Sequence, residues 1–77
     1  MRLHLGGYFA SYAAGRHWVE VDLKAPARLR DVLAELNIPA GEVYLVVVNG
    51  RLMEGAEVVV SASDEVRVLP PVDGGGK

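Results

Sequence analysis

The residues whose types and spacing could do chemistry stand at the end of the chain: Leu69, Pro70, Pro71, Val72, Asp73, Gly74, Gly75, Gly76 and Lys77. Proline cannot donate to a β-ladder, so an extended strand arriving at Leu69 must stop at Pro70 and Pro71. The pair also holds the backbone extended and directs the next residues away from the body. The five residues from Val72 to Gly76 reach roughly 16 Å when extended, enough to enter a partner's cleft. Glycine lets such an arm pass a narrow channel without side-chain clash, and it leaves a terminal carbonyl open to attack. The competing reading is a frayed terminus with no task, the common fate of chain ends.

Other candidate groups are weaker. His4 and His17 lack metal-ligand spacing and read as strand residues. Ser11, Ser61 and Ser63 are in no G-x-S-x-G context. Gly74, Gly75, Gly76 and Lys77 lack the leading glycine, the Ser/Thr and the following helix of a phosphate loop. Glu54, Glu57, Asp64 and Glu65 fall in turns and strand ends, where carboxylates are ordinarily solvated. Trp18 and Tyr44 could form a stacking platform, although packing on a sheet face explains them as well. No metal site is expected.

The elements that must position the arm are legible from periodicity. Leu3 and Leu5 alternate with Arg2 and His4, which predicts a half-buried strand, and Gly6 and Gly7 allow a bend after it. A second alternation puts His17, Val19, Val21 and Leu23 on one face, predicting an antiparallel partner for the first strand. Leu29, Val32, Leu33 and Leu36 make one helical stripe of about three turns, with Pro26 suited to its first turn. Asn37, Ile38 and Pro39 form a strong stop signal, whereas Ala25 cannot cap the start. Asn49 and Gly50 mark a two-residue hairpin turn behind the apolar run from Val43 to Val48, which reads as a largely covered strand. A short extended piece around Val58 to Val60 and a last strand with Val66 and Val68 on one face complete the order. One helix on one face of a mixed sheet is an α+β roll.

Size and composition limit the function. The chain has 77 residues, no cysteine, 51% apolar residues and a net charge of −2. That is one domain near the lower size limit for an unstapled core, too small for a core and a deep substrate cavity together. A self-contained enzyme is therefore not expected. Scattered basic residues under a net negative charge argue against nucleic acid or an anionic membrane as partner. With no long apolar run, the chain is read as soluble and cytoplasmic.

The segment from Tyr8 and Phe9 to Gly15, the run Val48, Asn49 and Gly50, and above all the ending "DEVRVLPPVDGG" resemble the MoaD/ThiS family of ubiquitin-like sulfur carriers. The resemblance covers nearly the whole chain, and the two prolines place it nearest the small subunit of molybdopterin synthase. It implies a ubiquitin-like β-grasp fold, with a mixed sheet of four to five strands and one main helix packed on one face. The first and last strands would run side by side at its centre. It also implies a folded domain over residues 1–72 and a flexible tail over residues 73–77.

In function, the resemblance implies a terminal glycine that an adenylating enzyme of the ubiquitin-activating type activates with ATP and that is converted to a thiocarboxylate. The carrier itself would bind no cofactor. Its partners would be that enzyme and the large subunit of molybdopterin synthase or an equivalent acceptor. Family carriers end at the glycine pair that aligns with Gly74 and Gly75; here Gly76 and Lys77 come after it. A peptidase would have to remove Lys77, or Gly76 with it, leaving Gly76 or Gly75 as the reacting end. Residues from Leu69 to Gly74 would bind the partner. Sulfur transfer in thiamine, cysteine or tRNA thiolation pathways, a ubiquitin-like modifier, and a non-covalent β-grasp subunit remain alternatives.

Overall fold

The computed structural model describes residues 1–71. The first strand, β1 (Arg2–Leu5), buries Leu3 and Leu5 and turns Arg2 and His4 outward, as their alternation predicts. After it, a 3-10 segment (Gly7–Ala13) tucks Phe9 and Ala10 into the core. Strand β2 (Trp18–Glu20) returns antiparallel to β1, with Leu3 opposite Val19 and His4 opposite Trp18. It is shorter than the seven-residue alternation suggests. His17 precedes it and is exposed, while Val21 leaves the ladder but still exchanges two backbone bonds with Met1.

The helix is also shorter than expected. Strand β3 (Ala27–Arg28) pairs with β6 (Val59–Val60), so α1 (Leu29–Glu35) begins only after it and has about two turns. Pro26 therefore lies before β3 and not in the helix. No side chain caps α1. The amides of Leu29 and Arg30 instead donate to the carbonyls of Val58 and Ala56, each at 2.8 Å, which satisfies two of the otherwise orphaned donors. At the other end Asn37 has φ +63°, its amide donates to Ala34 O, and that of Ile38 donates to Leu33 O at 2.9 Å. This is the Schellman stop that the sequence announces, with Ile38 buried as its apolar contact.

Strand β4 (Leu45–Val48) and β5 (Arg51–Met53) form the hairpin at Asn49 and Gly50, whose φ values of +52° and +82° are those of a type I′ turn. Asn49 does more than turn the chain. Its side chain donates to Asp64 Oδ1 and accepts the Glu65 amide, both at 2.9 Å, and so pins the hairpin to the start of β7 (Glu65–Leu69). This bond and the Ser61 amide hold the Asp64 carboxyl below its usual range.

The main sheet has the order β2-β1-β7-β4-β5, with β1 and β7 parallel and the other neighbours antiparallel. The last strand thus runs at the centre, beside the first. Leu29, Val32 and Leu33 of α1 close the core over Leu3, Leu5, Val46, Val66 and Val68. This is the β-grasp arrangement, five strands with one main helix on one face. Because α1 covers only one face, the run from Val43 to Val48 is not covered on both sides: Val46 is buried, but Tyr44 and Leu45 are exposed. Among the described residues no helix is long and apolar enough to cross a membrane.

Candidate functional site

The arm's root is built by the neighbours of β7. Val66 and Val68 anchor the strand in the core with no exposed surface. Its ladder is bonded on both sides close to its end. On one side the Gly6 amide donates to Val68 O at 2.9 Å; on the other the Tyr44 amide donates to Leu69 O at 2.8 Å. The strand ends at Leu69, as the two prolines require. Pro70, however, does not lead away from the body. It is buried, and only Pro71 is exposed, so the arm leaves one residue later than the sequence suggests. The remaining arm residues Val72, Asp73, Gly74, Gly75, Gly76 and Lys77 lie outside the described residues.

Gly6 and Gly7 make this seating possible. A Cβ on Gly6 would stand 3.0 Å from Leu69 Cγ and 3.2 Å from Val68 O; one on Gly7 would stand 2.9 Å from Pro70 Cγ, at φ +53°. The sequence suggests a bend here but not the close approach. Two glycines ending an otherwise regular strand are the available signal for it. Gly7→Ala should cost about 1–3 kcal/mol from left-handed strain and overpacking together. A urea midpoint equal to that of the parent protein would refute the close-packing account.

On the face away from α1 the sheet presents two different halves. Registers place Leu69, Leu45, Val47 and Leu52 side by side, an apolar strip beside the arm's root. The other half carries Arg67 and Glu65 of β7 and, beyond them, Arg2, His4, Glu20 and Trp18. The Arg2 guanidinium sits over the Trp18 ring at 4.4 Å from its centroid and that of Arg67 at 5.2 Å. His4 meets the same ring edge-on at 4.7 Å and stacks with His17 at 5.8 Å. Trp18 and Tyr44 therefore form no common platform: Trp18 is on β2 and Tyr44 just before β4, with β1 and β7 between them.

His4 Nδ1 is buried with no hydrogen-bond partner among the described residues. Burial first, then the charge of Arg67 and the neighbouring His17, hold the His4 pKa below its ordinary value against the opposing pull of Glu65. The unfolded chain, titrating near about 6.5, takes up this proton before the native state does. Stability should therefore be unaffected by His4 above that pH and decline as pH falls through it, until native His4 is protonated too. The urea midpoint should drop between about pH 7 and pH 5, and His4→Gln should flatten the drop. An unchanged slope in the variant would assign the effect elsewhere.

Several of the remaining candidates have structural partners. Glu57 accepts from Arg28 and Arg30, each at 2.9 Å. Glu65 pairs with Arg2 and Arg67. Ser11 donates to Tyr8 O and Ser61 to Asp64. An open groove of about 350 Å³ between Met53 and Val58 includes Glu54 and Glu57 in its lining. No group of three metal-ligating side chains converges among the described residues. The arrangement is suited to present the chain end, held by a rigid strand, next to an apolar strip.

The model of the ThiS family matches residues 7–75, from the 3-10 segment to the second of the three tail glycines. A comparison with curated proteins gives no match.

Proposed function

The chain belongs to the ThiS family of small ubiquitin-like sulfur carriers, which work with an adenylating activating enzyme and an acceptor enzyme, and from this premise we propose that its arm carries sulfur as a terminal glycine thiocarboxylate. The glycine carboxylate attacks the α-phosphorus of ATP on the activating enzyme and pyrophosphate leaves. Hydrosulfide supplied by the sulfur source then attacks the acyl carbon, AMP leaves and the sulfur loses its proton, giving the thiocarboxylate. Adenylation is needed because a carboxylate is a poor electrophile. A tethered sulfur reaches the acceptor without release as sulfide.

The observation that carries this reading is the seating of β7. A central strand bonded near its end on both sides, at Val68 O and at Leu69 O, with Pro70 packed on Gly7, gives the arm a fixed origin. Accurate placement matters because reacting groups must meet within about 3–3.5 Å. The apolar strip of Leu45, Val47, Leu52 and Leu69 is the surface by which the activating enzyme grips the carrier. The ending Leu69, Pro70, Pro71, Val72 favours delivery to molybdopterin or tungsten cofactor synthesis, through the large subunit of molybdopterin synthase or its equivalent.

Removal of Lys77, alone or with Gly76, exposes the reacting glycine. The reacting end is then Gly76 or Gly75. Intact mass after incubation with cell extract, ATP and a sulfur source tests the reading. The expected record is loss of Lys77 or of Gly76 and Lys77, followed by an oxygen-to-sulfur shift. A mass that stays constant would leave a non-covalent subunit as the function.

A further inference from the structure

The two segments that flank the end of β7 are joined to each other by a side-chain bridge. Because β1 runs parallel to β7 and β4 antiparallel, the chain leaving β1 and the chain entering β4 both lie at the end of the sheet where Leu69 stops. From the first segment, Tyr8 Oη donates to Glu42 Oε1 of the second at 2.9 Å. The contacts close a ring. Tyr8 bonds Glu42; the chain continues to Tyr44, whose amide holds Leu69 O; Leu69 leads to Pro70; and Pro70 packs on Gly7, next to Tyr8.

Packing alone does not account for the tyrosine. Phe9 beside it is fully buried, whereas Tyr8 is 50% exposed and meets the Phe9 ring edge-on at 5.1 Å. A phenylalanine would make that ring contact equally well, so the hydroxyl is what the position uses. Both bridged segments are 3-10 elements (Gly7–Ala13 and Ala40–Glu42), a geometry with weak internal bonds. If they part, the Tyr44 to Leu69 bond beside Glu42 is exposed to opening.

We propose that Tyr8 and Glu42 form a clasp across the root of the arm, acting as positioning residues that fix the point from which residues beyond Pro71 extend. The consequence for sulfur loading rests on the carrier reading; the clasp itself does not. With the clasp closed, the arm starts from one place and the terminal glycine presents itself at one depth in the activating enzyme. With it open, the root samples several starting points and fewer encounters are productive.

Amide hydrogen exchange on the full chain tests the clasp without any sulfur chemistry. In Tyr8→Phe and Glu42→Ala the Tyr44 amide should exchange about tenfold faster, while the Leu5 amide, which donates to His17 O just before β2, keeps its rate. Glu42→Gln retains an acceptor oxygen and should restore the parent rate. An unchanged Tyr44 amide in Tyr8→Phe overturns the proposal. So does a uniform acceleration of all amides, which would make the pair a general stabiliser. In the mass assay, Tyr8→Phe should slow the oxygen-to-sulfur conversion even at saturating carrier. If the parent protein never converts but the exchange pattern holds, the sulfur reading fails and the clasp stands.

Discussion

Phe9→Ala should remove most of the stability of the domain and loosen the arm's root with it. Phe9 is fully buried and belongs to the central core cluster. Truncating such a phenylalanine typically costs about 3–5 kcal/mol, against a total of about 4–12 kcal/mol for a domain of this length. The effect should be at the upper end here, because Phe9 also anchors its own segment. It sits on a 3-10 segment that has no side-chain cap and whose buried residues are Phe9 and Ala10. The same segment begins with Gly7, the seat of Pro70. Loss of the anchor therefore removes one flank of the root. Leu52→Ala provides the contrast: Leu52 is 65% exposed on the outer face, and its truncation should change stability by about 0.5 kcal/mol or less. Urea unfolding at constant m separates the two. Equal midpoints for Phe9→Ala and Leu52→Ala would show that the 3-10 segment is not part of the core.

Which parts of this architecture the sequence discloses depends on how local their causes are. The alternation in β1 and β7, the type I′ turn at Asn49 and Gly50, and the helix stop at Asn37 and Ile38 each depend on residues within one or two turns of chain, and all three are legible. The start of α1 is not, because its donors are satisfied by carbonyls of Val58 and Ala56 rather than by a nearby side chain. Once Ala27 and Arg28 pair with β6, the helix can only begin at Leu29. The role of Gly6 and Gly7 is hidden for the same reason: what forbids a side chain there is Leu69 and Pro70, at the far end of the chain. The side chain of Asn49 likewise acts across to Asp64 and Glu65. The central place of β7 is implied by the family resemblance and not by periodicity, since nothing in a strand's own alternation says which strands will lie beside it. For the candidate site, the prolines disclose where the ladder stops, but not that Pro70 would be taken into the body.

A chain ending at Gly74, made by removing Gly75, Gly76 and Lys77, should fold like the parent protein and carry no sulfur. The expected silence on stability has its cause in the root: ladder bonds end at Leu69, and Pro70 is the last buried residue described. The expected loss of function is a matter of reach. The chain is short by one glycine if Gly75 is the end and by two if Gly76 is, about 3.5–7 Å of extended chain, and a displacement of even about 1 Å at a reacting centre can cost about a hundredfold in rate. Flexibility cannot restore the missing length, because the root is fixed by bonds on both sides of β7. Removing Lys77 alone, or Gly76 with it, should have the opposite outcome and allow conversion in extracts that lack the trimming peptidase. Comparing these truncations by intact mass identifies the reacting residue. If only the chain ending at Gly75 converts, that glycine is the carrier end. If only the chain ending at Gly76 converts, the arm is one residue longer than in the family carriers it resembles. Conversion of the chain ending at Gly74 would refute the assignment of both glycines, and with it the argument that the fixed root sets the depth of the carboxylate.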